Sequence, residues 1–174
     1  MTLSESRLVA FYRGHGRDHL GRRLSDICAF DFEELEFHHD YIQWLFPLPE
    51  PSGANASAPL LTLDDIAAFT SDPALGRVLV QSLDVMLRFY GLERDVDGDS
   101  VTIRRGEGFD VRRREWLTFG NHNFLRISRI LRALSLLGRR TVAVALLKCL
   151  DGIYAEEART IGPTTMGYWR RAVV

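Results

Sequence analysis

Residues 121–138 read NHNFLRISRILRALSLLG, the clearest helical pattern in the sequence. Apolar side chains recur every three or four positions, a spacing that places them on one face of an α-helix. They are Phe124, Ile127, Ile130, Leu131, Leu134 and Leu137. Asn121 or Asn123 can cap the start of the helix, and Gly138 ends it. The stretch therefore predicts a helix that packs on a helical core.

Similar helix signals recur along the rest of the chain. The predicted N-caps are Ser4, Asp31 (with Glu34 in a capping box), Thr62 and Asp72, and the matching ends lie near Gly14, His38, Phe69 and Gly91. Further helices are expected over 142–154 and around 166–170. Only residues 92–108 break the pattern, where Val96-Asp97-Gly98-Asp99 predicts a short hairpin or an irregular loop. We expect an all-α fold, a single compact domain over residues 1–174 with about seven to nine helices.

Composition limits the class of protein. The chain has 174 residues, of which 46% are apolar and 26% charged, as in ordinary globular proteins. Its net charge of −1 provides no overall field toward nucleic acid or an anionic membrane. Neither a signal sequence nor an apolar run of about 18 residues is present. Together with two isolated cysteines, Cys28 and Cys149, which are expected to be reduced thiols, this predicts a soluble cytoplasmic protein.

The sequence offers no motif for a metal, a cofactor or a catalytic centre. His15 and His19 have the spacing of helical metal ligands, but the surrounding glycines favour an exposed loop instead. Asp95, Asp97 and Asp99 alternate as in a calcium loop, yet Gly106 stands where the closing glutamate belongs. We therefore expect a non-enzymatic protein with no catalytic residues, no cofactor and no metal.

Two segments stand out as a candidate ligand site. Residues 39–47, HDYIQWLFP, predict a helix that is apolar nearly all round, with His39 and Gln43 one turn apart as its polar exceptions. In the second segment, His122, Arg126 and Arg129 form a ridge opposite the apolar face, near the positive end of the helix. The predicted site is a cleft between the two segments. Its residues are His39, Tyr41, Gln43, Trp44, Asn121, His122, Asn123, Arg126 and Arg129.

Each half of this site has a purely structural alternative. The aromatic side chains of 39–47 can serve as core, with His39 and Gln43 hydrogen-bonded inside the protein. The arginines of the second segment can pair with the acidic residues of 31–40. The expected ligand is unidentified, and the fitting classes are a peptide, a small anion or a protein segment. The sequence does not indicate the oligomeric state.

Two other functions remain open. Residues 104–140 contain ten arginines and three acidic residues, an excess of +7 that would suit nucleic acid. Affinity would then fall steeply with salt. The other alternative is an enzyme in which His39 and His122 act as general acid and base, a role that imidazole suits near neutral pH.

The two quoted segments also resemble a known family. HDYIQWLFP at 39–47 and NHNFLRISRIL at 121–131 are similar to signature segments of the opioid growth factor receptor family, as are PLLTL at 59–63 and MLRFYG at 86–91. The resemblance covers about residues 7–155 and leaves 156–174 as a tail or helix. It identifies the chain as a member with little beyond the shared domain, like the stand-alone bacterial and fungal versions.

The resemblance implies a receptor-type role rather than a seven-helix membrane receptor. Animal members are associated with an enkephalin-type opioid growth factor, with the nucleus and its surroundings, and with restrained proliferation. It carries over no ligand-contacting residues, so the nine site residues rest on the sequence pattern alone.

Overall fold

The computed structural model describes residues 5–174, which form two compact units, residues 5–82 and 83–174. Unit 1 contains α1 (Arg7–Tyr12), α2 (Leu24–Cys28), α3 (Phe32–Phe37), α4 (Ile42–Leu45) and α5 (Leu63–Ser71). Helix α6 (Pro73–Tyr90) crosses the boundary. Unit 2 continues with β1 (Leu92–Asp97), β2 (Ser100–Arg105), α7 (Phe109–Trp116), α8 (Asn123–Leu136), α9 (Arg140–Ile161) and α10 (Pro163–Ala172).

The described residues are therefore mostly helical, with ten helices and one hairpin. The predicted helical class is confirmed, but the hairpin means that the fold is not purely all-α. Whether the chain forms one domain stays a prediction. Within residues 5–174, no helix is both long enough and apolar enough to span a membrane.

Side-chain caps fix the starts of α1, α3 and α5. Asp31 accepts a hydrogen bond from the Glu34 amide, and Thr62 accepts one from the Asp65 amide, so both predicted caps are confirmed. Each is a complete capping box, because the glutamate or aspartate three residues on accepts the N-cap amide in return. The predicted cap Ser4 lies outside the described residues. Ser6 caps α1 by accepting the Val9 amide at 3.1 Å.

Unit 1 is held together around α1 and α5. The buried carboxylate of Asp65 accepts hydrogen bonds from the Ser6 hydroxyl and from the Thr62 amide and hydroxyl. One carboxylate therefore joins the starts of two helices, through residues 59 positions apart in sequence. Tyr12 adds a buried link, because its hydroxyl donates to the Leu45 carbonyl of α4.

Unit 2 is built on α8, which packs against α9 and α10. The apolar face predicted for this helix is confirmed, since Phe124, Ile127, Ile130, Leu131 and Leu134 are all buried. Two fully buried indoles satisfy their N–H groups on backbone carbonyls 3.0 Å away. Trp169 donates to Phe124, and Trp116 donates to Tyr90.

A tight reversal after α6 begins the hairpin. Gly91 has φ +75°, a backbone conformation that residues other than glycine rarely adopt. A Cβ at this position would lie 2.7 Å from the Cα of Phe109, so α7 passes too close for any substituent. Strand β1 then pairs antiparallel with β2, from Leu92 opposite Arg105 to Asp97 opposite Ser100. The hairpin expected within 92–108 is confirmed.

Other boundaries differ from the predictions. The helix expected over 39–47 is wrong in extent, because only Ile42–Leu45 form a single turn before Pro47, Pro49 and Pro51. Helices α2 and α7 were not predicted. Helix α9 continues to Ile161 instead of ending at Tyr154, with a kink at Glu157 (φ −117°, ψ 28°).

Candidate functional site

The four predicted site residues of unit 1 lie in and next to α4. Tyr41 and Trp44 are fully buried, and both use their polar atoms inside the unit. The Tyr41 hydroxyl donates to the Leu35 carbonyl at 2.8 Å, and Trp44 Nε1 donates to His19 Nδ1 at 3.2 Å. The geometry accounts for both side chains as core. Their role as ligand contacts stays a prediction.

His19 belongs to a polar cluster that the sequence pattern did not indicate. Because the Trp44 indole can only donate, His19 Nδ1 accepts, and the ring proton resides on Nε2. That nitrogen lies 3.6 Å from Asp40 Oδ2. Arg22 bridges Asp40 and Asp18 at 3.0 and 2.6 Å. His19 lies in a loop as expected, but the expected exposure is wrong for this residue, since only 19% of its side chain is exposed.

His15, its predicted companion, is exposed and contacts a different partner. Its Nε2 lies 2.7 Å from Glu5 Oε2, and Arg13 binds the other oxygen of the same carboxylate. The hydrogen bond from His15 is the main cause that lowers the pKa of Glu5, with Arg13 assisting. Among residues 5–174, no three His, Cys, Asp or Glu side chains are grouped so that they could hold a metal ion.

Gln43 is the polar exception inside this apolar segment. The residue is 3% exposed, and its Nε2 donates to the His39 carbonyl at 3.2 Å and, more weakly, toward Ser52 Oγ at 3.4 Å. In the described part of the chain, its Oε1 accepts no hydrogen bond. A buried acceptor left unsatisfied costs about 1–3 kcal/mol, and such groups in native proteins call for a specific explanation. Gln43 thus contacts the backbone carbonyl of His39, which lies before α4 and not on the same helix.

Three of the five predicted residues of unit 2, Asn121, Asn123 and Arg126, form a hydrogen-bonded array at the start of α8. Asn121 Oδ1 accepts from the Asn123 amide at 2.9 Å and from Asn123 Nδ2 at 3.0 Å. Asn123 Oδ1 in turn accepts from Arg126 Nη1 at 3.2 Å. Asn121 also donates to the Glu115 carbonyl and to Thr118 Oγ1, both at 2.9 Å. Through these hydrogen bonds, Asn121 in the loop before α8 helps to hold the Arg126 side chain in place.

Burial along α8 differs from the predicted ridge. Asn123 is fully buried and Arg126 is 5% exposed, whereas His122 and Arg129 are half-buried. Arg126 therefore does not lie on a solvated face opposite the core. Four of the nine predicted site residues belong to unit 1 and five to unit 2, and their union in one cleft stays a prediction.

The arginine-rich stretch 104–140 is less basic than its composition indicates. Arg104 binds Glu93 and Asp95 at 2.8 and 2.7 Å, Arg105 binds Glu156 at 2.8 Å, and Arg113 binds Glu157. The guanidinium groups of Arg105 and Arg113 also lie over the Phe109 ring, 4.9 and 5.6 Å from its centroid. Three of the ten arginines thus neutralise acids within unit 2, which weakens the case for a nucleic-acid surface.

Comparison with known proteins identifies the family. The family model described as "Opioid growth factor receptor (OGFr) conserved region" matches residues 22–174, nearly the whole chain. The chain belongs to the opioid growth factor receptor family. The family region begins later than the 7–155 expected from the quoted motifs, and it also ends later, since it includes all of α9 and α10.

The family members that match this chain are much longer than the chain itself. The chain is 42% identical to the mouse opioid growth factor receptor over 108 residues, which cover 62% of the chain and 17% of the receptor. Identity to the human receptor is 41% over 108 residues, covering 62% and 16%. Mouse opioid growth factor receptor-like protein 1 is 37% identical over 118 residues, covering 68% and 25%. The chain thus spans a quarter or less of these family members. No solved structure matches it.

Cys149 provides a chemical test of packing near Arg105. Burial raises the pKa of this thiol from 9.0 to about 11, and the Arg105 charge offsets only part of the shift. In a Cys28→Ser variant, we expect iodoacetamide at pH 8 to alkylate native Cys149 about one hundredfold more slowly than the urea-unfolded chain, because two pKa units separate their thiolate fractions. Equal alkylation rates would contradict the burial.

The raised pKa of Cys149 also makes stability depend on pH. Because the thiol ionises at lower pH in the unfolded chain than in the native chain, the free energy of unfolding should fall as pH rises from 9 to 11.

Proposed function

We propose that this chain is a non-enzymatic binding module of the opioid growth factor receptor family and that its ligand is a peptide. The observation that carries the proposal is the buried amide of Gln43, whose Oε1 accepts no hydrogen bond within residues 5–174. An acceptor of this kind is complemented by a ligand N–H or O–H group. Peptides present N–H groups at every residue except proline.

Charge also favours a peptide over a small anion at this position. Unit 1 contains twelve acidic and six basic residues, a net charge of −6. The negative charge of unit 1 would repel a phosphate or a carboxylate, and an ionised carboxylate would offer Gln43 Oε1 no donor. A peptide ammonium group is attracted by the negative charge of unit 1, and a peptide N–H group can donate to Gln43 Oε1. The name of the animal relatives, opioid growth factor receptor, supports the same class of ligand.

The polar array of α8 supports a binding role in a second way. Asn123 and Arg126 are buried, and Asn121 aligns them through consecutive hydrogen bonds. A buried guanidinium that is fixed in advance loses little rotamer freedom when it meets an acceptor. Carbonyl and carboxylate groups of a peptide are acceptors of that kind. On this basis we propose Asn121, Asn123 and Arg126 as ligand contacts of unit 2, considered by itself.

The substitution Gln43→Met tests the proposal because it removes the acceptor while keeping a side chain of similar length. We expect the affinity for an enkephalin peptide, measured by isothermal titration calorimetry, to fall about tenfold through loss of one hydrogen bond. The melting temperature should change little, since the lost Nε2 bonds are offset by removing a buried unsatisfied oxygen. Gln81→Met, the same change at an exposed position of α6, is the matched control and should keep the affinity.

Three results would count against the proposal. They are unchanged peptide affinity in Gln43→Met, absence of peptide binding by the unmodified chain, and a thermal shift produced by inorganic phosphate alone. The non-enzymatic character and a cytoplasmic location belong to the proposal as well. Chemical conversion of the peptide during incubation, followed by mass spectrometry, would contradict the first of these.

A further inference from the structure

In the hairpin of unit 2, strand β1 has an outer edge whose backbone groups point away from β2, its one partner strand within residues 5–174. Gly91 O accepts the Gly106 amide at 2.9 Å, just before the first pair of the ladder. In antiparallel strands, hydrogen-bonded pairs alternate with non-bonded pairs. The backbone groups of 93, 95 and 97 therefore bond to β2. Those that point outward from β1 belong to Leu92, Arg94 and Val96.

These outward groups have no backbone partner in the part of the chain that the structure describes. A groove of about 330 Å³ runs beside them, between β1 and the second half of α6. Leu87 and Leu92 give it apolar lining, the Asp84–Arg94 ion pair crosses it at 2.6 Å, and exposed Arg88 stands at its margin. An unpaired strand edge beside a groove is the arrangement that accepts an added strand.

We propose that the outer edge of β1 binds an extended, basic segment of a partner protein as a third antiparallel strand. The main chain of the segment would bond to Leu92, Arg94 and Val96, and every second side chain would enter the groove beside the Asp84–Arg94 ion pair. This site lies outside the residues on which the proposed function rests, so either can fail without the other.

The basic character of the partner follows from the solvent face of the hairpin. Glu93, Asp95 and Asp97 occupy every second position of β1 and share that face. Strand β2 already places Arg104 opposite Glu93, and this arginine bonds to Glu93 and Asp95. Those two carboxylates nevertheless remain 44% and 54% exposed. An added strand with lysine or arginine at alternate positions would place positive charges beside these carboxylates, on the side of β1 away from β2.

The same acids argue against a second copy of this chain as the occupant. In a two-fold antiparallel pairing of β1 with itself, outward groups must meet outward groups. Residues 93, 95 and 97 of one copy would then stand opposite residues of the same set in the other copy. All three are acidic, so every such register places like charges directly opposite each other, which is destabilising.

A hexapeptide of alternating lysine and valine with blocked ends is a suitable probe, because its valines would face the groove and its lysines the acids. Residues opposite Leu92, Arg94 and Val96 direct their N–H groups toward β1, and in this alignment they are the valines. N-methylation of the valine amides should weaken binding at least tenfold, measured by fluorescence anisotropy. N-methylation of the lysine amides, the matched control, should weaken it less than threefold.

The substitution Val96→Pro tests the protein side, because it removes an outward N–H and leaves the hydrogen bonds to β2 in place. We expect affinity for the unmethylated peptide to fall at least tenfold with little change in melting temperature. If this variant fails to fold, the affinities of the two methylated peptides for the unmodified chain decide between the outcomes. Equal affinity of both methylated peptides, no saturable binding, or concentration-dependent dimers that the peptide does not compete with would overturn the proposal.

Discussion

Replacing Trp116 with alanine lowers the free energy of unfolding by about 4 kcal/mol, the range expected for a buried large aromatic side chain. Its indole is fully buried, contacts the rings of Tyr90 and Phe109 at centroid distances of 5.2 and 6.4 Å, and donates to the Tyr90 carbonyl. Alanine would leave a cavity between α7 and the end of α6 and would remove the hydrogen bond to the Tyr90 carbonyl. Urea unfolding followed by far-ultraviolet circular dichroism measures the loss.

Two variants separate the causes of this effect. Trp116→Phe keeps most of the ring and loses the hydrogen bond, so a loss of about 1–2 kcal/mol is expected. Leu125→Ala removes a side chain that is 72% exposed on α8 and should change stability by less than about 0.5 kcal/mol. A loss below about 1 kcal/mol in Trp116→Ala would mean that α7 is not docked as described, because the cavity term would be missing.

Asp65→Ala gives the second large effect, a loss of about 3 kcal/mol. Its carboxylate is 2% exposed and accepts from the hydroxyls of Ser6 and Thr62 and from the Thr62 amide. Alanine therefore leaves several donors unpaired and removes half of the capping box of α5. Chemical denaturation of the purified protein, compared at one pH, gives the difference.

The neighbouring Asp64 provides the control for this second effect. It also lies in the first turn of α5 but is exposed, so Asp64→Ala should cost less than about 1 kcal/mol through the helix dipole alone. Asp65→Asn keeps the shape and one acceptor oxygen and should fall between the two. If Asp64→Ala and Asp65→Ala were equally destabilising, the link between α1 and α5 would contribute nothing.

Elements with local signals could be predicted from the sequence. Asp31 and Thr62 each carry their capping partner three residues on, and the apolar stripe of α8 repeats along the helix. The Asp97–Ser100 turn contains Gly98, whose positive φ suits a tight reversal. In each case the information lies within a few residues, where spacing and backbone preference act directly.

Prediction failed where the deciding contacts are distant or the element is short. Helix α2 has only five residues, and its N-cap is Arg23, which is not a favourable capping residue. The apolar stretch at 39–47 predicted a full helix, but apolar character on every side cannot set its length, and prolines limit it to one turn. The pairing of His19 with Trp44 spans 25 residues and has no signal in local sequence.

The candidate site shows the same division. The association of Asn121, Asn123 and Arg126 follows from spacings of two and three residues, which the sequence displays directly. The burial of Arg126 does not follow from spacing, because the neighbours that cover a helix face are chosen by tertiary packing. The unsatisfied oxygen of Gln43 could be found only by accounting for each polar atom in space.

The close approach at Gly91 also restricts how this domain can diverge. Any other residue at this position must adopt a left-handed backbone conformation, and its Cβ must displace the chain at Phe109. A single substitution of Gly91 is therefore not expected to be neutral. A lineage could change it only after α7 had already moved away. The reversal at Gly91 is therefore expected to resist substitution, and it fixes the point at which the hairpin that follows begins.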